Sequence, residues 1–248
     1  MTDLQPATPS ATEREAEVGA PVDHGVAHMK WWGWGVEGVA FHHDDKPAFA
    51  PFVKSIVGVE LSAGAHDTGL DFASLEVPAT TAPDAVLDAL RGAVGEDSVD
   101  VSDHDRVVHT YGKSIRDLIR IRRGVLRRVP DVVVYPADEA EVQAVVALAA
   151  EHDLVLIPFG GGSNIVGSLE PQPEEVRPVV SLDMGRLDKV LDIDEDGGLA
   201  RIQAGGQGPH LEEQLNARGW TLGHFPDSFT HSTLGGWVAT RSSGMESD

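Results

Sequence analysis

The feature that most constrains this chain is a strand, a helix and a second strand that lead directly into three consecutive glycines. Residues 131–135 form a β-branched run that ends at Pro136, and residues 154–158 form a second apolar run. Between them, residues 138–151 repeat apolar side chains at helical spacing, with Val142, Val145, Val146 and Ala149 facing inward. This order predicts a βαβ unit with two parallel, buried strands inside an α+β domain.

Other periodic segments extend this unit on both sides. Residues 83–94 predict a helix, because Pro83 suits a first turn and Val86, Leu87, Leu90 and Val94 recur along one face. A helix is also predicted over residues 114–123, closed by Gly124, with an apolar face made of Ile115, Leu118 and Ile119. The remaining predictions are strands at 179–182, 189–193 and 199–203 and a helix at 209–218 that ends at Gly219.

The first 125 residues divide into two parts. Residues 1–28 carry three prolines and five acidic side chains against a single base, so we expect a disordered acidic tail. Residues 29–125 form a predicted N-terminal region that opens on Trp31, Trp32 and Trp34. We interpret these tryptophans as an anchor that packs the chain onto the domain surface, with an aromatic ligand cage as the alternative.

Charge and composition exclude several classes of protein. The chain has 40 acidic residues against 19 Lys and Arg, a net charge of −21, which argues against a nucleic-acid binder. Cysteine is absent, and residues 42–45 are interpreted as a solvated loop, so we expect no metal site. No apolar run is long enough to span a membrane, and no secretory signal is visible, so the expected location is the cytoplasm.

One stretch reverses the acidic background. Residues 113–128 hold seven basic side chains and one acidic one. Arg116, Arg120, Arg123 and Arg127 follow one another at spacings of four, three and four. A solvated face or pairing with acids elsewhere in the chain is the favoured interpretation, and an anionic ligand or a partner chain is the alternative.

The glycines after the second strand are candidates for binding an anion. Gly160, Gly161 and Gly162 are followed by Ser163 and Asn164. Glycine adopts positive φ angles easily, which allows successive backbone N–H groups to converge on an anion such as a pyrophosphate. A tight connecting turn explains the same glycines equally well. The motif is neither G-x-G-x-x-G nor a P-loop, since no Lys-Ser or Lys-Thr follows it.

A second polar, glycine-rich cluster occupies residues 226–245. It offers two adjacent glycines, Arg241 as a partner for phosphate charge, and the hydroxyl groups of Ser228, Ser232, Thr233 and Thr240. Ser232 or Thr233 is alternatively the N-cap of a helix. Two such clusters in one chain favour a cofactor that carries phosphate groups.

These stretches resemble a known family. Residues 128–133 and 158–164 are similar to the start of an FAD-binding domain of the vanillyl-alcohol oxidase/para-cresol methylhydroxylase (PCMH) type. Residues 226–245, together with residues 30–35, resemble the alkyldihydroxyacetonephosphate synthase family within that group. The resemblance covers residues 29–248. It implies an α+β fold with a PCMH-type FAD-binding domain over residues 126–248, made of two subdomains of which the second is incomplete.

The resemblance implies FAD as the cofactor and assigns three FAD-contacting segments, but no catalytic residue within the chain. His231 replaces a large apolar residue of the family, and a packing or hydrogen-bonding role is favoured over a catalytic or covalent flavin link. The implied FAD-binding residues are Pro158, Phe159, Gly160, Gly161, Gly162, Ser163, Asn164, Asp227, Ser228, Phe229, Thr230, His231, Ser232, Thr233, Ala239, Thr240, Arg241 and Ser242.

The activity implied by the resemblance is exchange of the acyl chain of an acylated dihydroxyacetone phosphate for a fatty alcohol, a step of ether-lipid synthesis. The alternatives are an FAD-linked oxidoreductase of a 2-hydroxy acid such as lactate or glycolate, and a non-catalytic binding module with the same fold. Expected partners are a small or lipid substrate and a second copy of the chain, with peripheral membrane association as a further option. Because the family continues beyond residue 248, we expect this chain alone to bind FAD weakly and to lack turnover.

Overall fold

The computed structural model describes residues 23–37, 39, 45–61 and 71–246. Residues 1–22 of the predicted tail and residues 42–44 of the predicted loop lie outside these ranges. Short 3₁₀ turns occur at Phe72–Ser74 and Glu96–Ser98. The helices are α1 (Phe49–Val57), α2 (Asp84–Val94), α3 (Asp103–Val108), α4 (Ile115–Arg122), α5 (Glu139–Glu151), α6 (Gly208–Asn216) and α7 (Leu234–Thr240). The strands are β1 (Val99–Asp100), β2 (Val132–Val134), β3 (Val155–Phe159), β4 (Val179–Asp183), β5 (Val190–Asp194) and β6 (Leu199–Ile202).

A four-stranded sheet carries the first part of the α+β fold. Its strand order is β1-β2-β4-β3, and β2 and β3 both pair with β4 in parallel. The predicted βαβ unit is therefore confirmed as parallel, with β4 inserted between its two strands. Helices α2 and α5 cover one face of the sheet, where Leu90 and Val145 pack with Val132, Val180 and Leu182. Alternate residues of a strand point to opposite faces, so Ser181 and Asp183 face away from these helices.

An antiparallel hairpin and two helices form the second part of the fold. Strands β5 and β6 pair with each other, as predicted for this segment. Their apolar side packs against α6 and α7 around Val190, Leu211, Leu215 and Trp237. Phe229 joins this cluster and its ring lies parallel to that of Trp237, with the ring centroids 6.2 Å apart.

The N-terminal region is anchored by its aromatic side chains. Trp31 is buried in a cluster with Val107, Tyr111 and Ile121 and contacts the edge of the Phe72 ring at 5.5 Å. The anchor interpretation is therefore confirmed for Trp31. Order begins earlier than the predicted boundary at residue 28, because His24 is buried and His28 is mostly buried through contacts with acids of the domain.

Helix α4 exposes the face that the sequence predicted to be buried. Ile115 is 78% exposed and Ile119 is 47% exposed, whereas Asp117 and Ile121 are buried. Ser114 and Asp117 form a reciprocal capping box, and Asp117 shares the buried side of the helix with Ile121, four residues later. A similar error concerns Val146 of α5, which is half exposed although its periodicity predicted an inward position.

Three of the seven basic side chains in residues 113–128 pair with carboxylates among the described residues. Arg116 and Arg120 both reach Glu170, at 3.3 and 2.7 Å, and Arg128 donates to Asp131 at 2.5 Å. For these three side chains the prediction of acidic partners elsewhere in the chain is confirmed. Among the residues that the structure describes, no helix is both long enough and apolar enough to cross a lipid bilayer.

Candidate FAD-binding site

The glycine loop, defined here as residues 160–164, leaves the sheet at the end of its edge strand β3. Gly162 has a φ of 68°, a conformation that glycine adopts at little cost. Within the described part of the chain, no backbone N–H of residues 160–164 donates a hydrogen bond. Donors left free in this way are what an anion-binding loop requires.

The second cluster packs directly against this loop. A Cβ built on Gly161 would overlap the carbonyl oxygen of His231 and lie 2.7 Å from its carbonyl carbon. A Cβ on Gly160 would overlap the hydroxyl of Thr233. The sequence predicted that the missing side chains of these glycines leave space for a ligand. At Gly160 and Gly161, that space is occupied by residues 231–233. The two predicted cofactor segments are therefore neighbours in space.

Several predicted cofactor residues of the second cluster have structural partners. Thr233 is the N-cap of α7 and accepts from the Gly236 N–H, so the capping alternative is confirmed for Thr233. The Ser232 hydroxyl accepts from the Trp237 indole at 2.6 Å and donates to the Ser228 carbonyl at 2.8 Å. Phe229 lies in the hairpin cluster described above.

The other predicted positions leave polar groups at the surface. Asp227, Thr230, Thr240 and Arg241 are exposed. Residues 239–242 lie at the far end of α7, about 10 Å along the helix axis from its N-cap. In the glycine loop, the Asn164 side-chain oxygen accepts from the N–H groups of Val166 and Ser168. This oxygen holds the loop in shape.

A buried charge cluster that the sequence did not reveal lies beneath the glycine loop. His28 Nε2 and His109 Nε2 both donate to Asp183 Oδ2, at 2.8 and 2.9 Å. His109 and Asp183 are fully buried, and the Phe159 ring at the base of the loop lies 4.2 Å from the His109 ring. These residues are far apart in sequence, so no local pattern brings them together.

The charge states in this cluster follow from its hydrogen bonds. Burial alone would raise the pKa of Asp183, but the hydrogen bonds from His109 and His28 outweigh it and hold that pKa well below its usual range. Burial would lower the pKa of His28, but the hydrogen bond to Asp183 outweighs burial and raises it. His109 Nδ1 faces the Asp105 carbonyl oxygen at 2.7 Å. Both nitrogens of His109 therefore lie within hydrogen-bond distance of an oxygen atom.

A second buried network lies next to the first. His24 Nε2 donates to Asp100 at 2.9 Å, and the Tyr135 hydroxyl donates to Asp105 Oδ2 at 2.5 Å. The His24 ring stacks on the Tyr135 ring with centroids 4.1 Å apart. Burial and the carboxylate of Asp105 raise the pKa of Tyr135. Residues 23–28 are therefore fixed to the domain by two histidines.

The comparison with known proteins agrees with this geometry. Residues 130–248 match the FAD binding domain family. An alkyldihydroxyacetonephosphate synthase from Trypanosoma brucei brucei is 35% identical over 237 residues, which is 89% of this chain and 39% of that protein. The protein of that name from Dictyostelium discoideum is 54% identical over 143 residues, 58% of this chain and 23% of its own length. A solved structure of alkyldihydroxyacetonephosphate synthase superposes with a TM-score of 0.78 at 38% identity, over 88% of this chain and 44% of the other.

This chain has an FAD-binding domain and is similar to alkyldihydroxyacetonephosphate synthase. It spans between 23% and 44% of the length of these relatives. The matched FAD-binding domain contains the glycine loop, the hairpin and α7. The N-terminal region, with Trp31, His28 and His109, lies outside the matched residues and packs against them.

The residues of the FAD-binding domain fit the phosphate groups of a dinucleotide. The free N–H groups of residues 160–164 supply donors without a competing acceptor. The exposed hydroxyl of Thr230 and the half-buried Ser163 add side-chain donors at the neighbouring positions. The fit therefore rests mainly on backbone donors of the loop.

We expect no stoichiometric metal in this domain, although the structure brings two sets of candidate ligands together. His24 and His28 have a His-x-x-x-His spacing, but the two histidines belong to different sets of candidate ligands. A zinc ion bound through Nε2 of His28 and His109 would have to displace the hydrogen bonds that join both atoms to Asp183. Elemental analysis after dialysis against a chelator is the measurement, and one equivalent of zinc retained would contradict this expectation.

Proposed function

We propose that this chain binds FAD at the glycine loop and serves an enzyme that exchanges the acyl group of an acylated dihydroxyacetone phosphate for a fatty alcohol. The observation that carries the proposal is the row of unpaired N–H groups in residues 160–164, next to the second cluster. Similarity to alkyldihydroxyacetonephosphate synthases over most of the chain supports the choice of reaction.

In this proposal the chain's residues bind and position the cofactor. The N–H groups of residues 160–164 hold the pyrophosphate, because they are the donors left without partners. Residues 227–233 and 239–242 contact other parts of FAD. When bound, FAD supplies the reactive ring at which the exchange takes place, and the protein contributes orientation and electrostatics. The buried charge cluster supports the loop from below through Phe159.

FAD binding is the first testable consequence. We expect the chain to bind added FAD weakly and to quench its fluorescence, because the loop donors are free to bind phosphate, and we expect a visible flavin absorption band from a longer product of the same reading frame. NAD and ATP serve as controls, since the chain has neither the G-x-G-x-x-G nor the P-loop motif. A colourless chain that also takes up no added FAD would overturn the proposal.

The reaction is tested separately from the cofactor. The chain, and any longer product of the same reading frame, are incubated with acylated dihydroxyacetone phosphate and a labelled fatty alcohol. We expect an alkyl-ether product without reduction of a redox dye in the preparation that carries the complete site. Dye reduction by lactate or glycolate without ether product would favour the oxidoreductase alternative. Tight FAD binding with neither activity in both preparations would favour the binding module.

A further inference from the structure

A lysine from outside the matched FAD-binding domain packs against the glycine loop. The Lys113 backbone N–H donates to the Asn164 carbonyl at 2.7 Å. The preceding residue, Gly112, has no room for a side chain, because a Cβ there would overlap the same carbonyl oxygen and lie 2.8 Å from the Asn164 carbonyl carbon. Residues 112–113 therefore pack directly against the end of the glycine loop at Asn164.

The side chain of Lys113 is buried, which is rare for a lysine. Lys113 directly precedes Ser114, the N-cap of α4, and is only 6% exposed. The positive charge of Lys113 lowers the pKa of His28, and the effect of Asp183, which raises that pKa, is larger. His28 in turn contacts the edge of the Phe159 ring, at 6.0 Å between centroids, so the lysine charge acts close to the base of the glycine loop.

This buried charge has no direct partner in the described residues. The Lys113 ammonium donates no hydrogen bond there, and no described carboxylate lies within 4.0 Å of it. Burial lowers the pKa of Lys113 to about 8, and the nearby carboxylate of Asp117 only partly offsets this effect. One oxygen of Asp117, Oδ2, accepts from the Ser114 N–H, and the other, Oδ1, is buried without a hydrogen bond in the described residues, so neither accepts from Lys113. The ammonium nitrogen is not among the fully buried polar atoms that lack a partner in the described residues, so a ligand can reach it, and an ammonium on a mostly buried side chain favours a bonded anion.

We propose that Lys113 is an anion-binding residue of the cofactor site, whose ammonium pairs with a phosphate group of the dinucleotide held by residues 160–164. This inference rests on the proposed function and extends the site beyond residues 130–248 into the N-terminal region. The phosphate group supplies the negative charge that the Lys113 ammonium lacks among the described residues.

The test compares two flavins that differ in phosphate. The dissociation constants of FAD and of riboflavin, which has no phosphate, are measured for the chain and for Lys113→Met, whose side chain is similar in length and uncharged. We expect the variant to bind FAD about tenfold more weakly or worse, as for loss of a charge-assisted hydrogen bond, and riboflavin unchanged. Lys54→Met is the matched control, because Lys54 lies on α1 with a side chain 61% exposed, and it should leave both constants unchanged.

A second measurement does not depend on the fold of a variant. The titration of the Lys113 side chain is followed by NMR in the unsubstituted chain, with and without each flavin. We expect FAD to raise the pKa of Lys113 and riboflavin to leave that pKa unchanged. Equal FAD binding by the chain and Lys113→Met, or a pKa that FAD does not move, overturns the role of Lys113 while the proposed function stands. Failure of the unsubstituted chain to bind FAD overturns both.

Discussion

Replacing Asp183 by Asn is expected to lower the free energy of unfolding by about 3–5 kcal/mol, the range for breaking a buried ion pair on one side only. Asp183 is fully buried and accepts from His28 and His109. The neutral amide removes the negative charge that both histidine rings face in the buried cluster. The other carboxylate oxygen accepts from the Gly185 N–H at 2.7 Å, so the turn after β4 loses a charged acceptor as well.

The pH dependence of this effect has a defined sign. The lowered pKa of Asp183 stabilises the fold above its unfolded value of about 3.9, and this contribution is lost as the pH falls through the folded pKa. The raised pKa of His28 stabilises the fold below its unfolded value of about 6.5, and this contribution is lost as the pH rises through the folded pKa. The difference between the chain and Asp183→Asn should therefore be largest between about pH 4 and 6.5.

Urea unfolding at a series of pH values measures this difference. Asp153→Asn is the matched control, because the Asp153 side chain is 82% exposed and its pair with Arg177 is at the surface. We expect the control to change the free energy of unfolding by no more than about 0.5 kcal/mol, since exposed pairs contribute little. A loss below about 1 kcal/mol for Asp183→Asn, or one independent of pH, would contradict the assigned charges.

Local patterns predicted the elements of this fold well, and the failures have a common cause. Helix α2 buries the four residues named from its periodicity, because apolar spacing and burial agree there. In α4 the same rule failed, because Asp117, whose carboxylate completes the capping box with Ser114, lies on the buried side together with Ile121. Periodicity reports spacing along a helix. It does not report which polar side chains find buried partners.

The candidate site also has some parts that local sequence patterns predicted and others that they did not. The glycine loop and the second cluster were both found from sequence, because glycine and hydroxyl residues are conspicuous over a few positions. The supporting charges were missed, because Asp183 meets His28 across 155 positions of sequence. Such contacts arise from the order of strands in the sheet, with β4 between β2 and β3, which the sequence did not predict.

Replacing Gly161 by Ala is expected to abolish FAD binding and to lower the free energy of unfolding by about 1–3 kcal/mol, the usual cost of forcing an extra methyl group into a packed site. The new methyl would overlap the His231 carbonyl oxygen, and the nearest atoms are all backbone, including Ser232 Cα at 3.1 Å. Backbone cannot rotate aside as a side chain can, so the two segments must separate. The N–H groups of the loop would then no longer converge beside residues 231–233.

Gly92 offers a matched control for the same chemical change. It lies exposed inside α2, and a Cβ there would meet no atom within 4 Å. Gly92→Ala should therefore raise the free energy of unfolding by about 0.5–1 kcal/mol, because alanine loses less conformational entropy in a helix. FAD binding, measured by flavin fluorescence, should be unchanged in Gly92→Ala and absent in Gly161→Ala. If Gly161→Ala bound FAD as the unsubstituted chain does, the close contact between the two glycine-rich segments would not be what shapes the cofactor site.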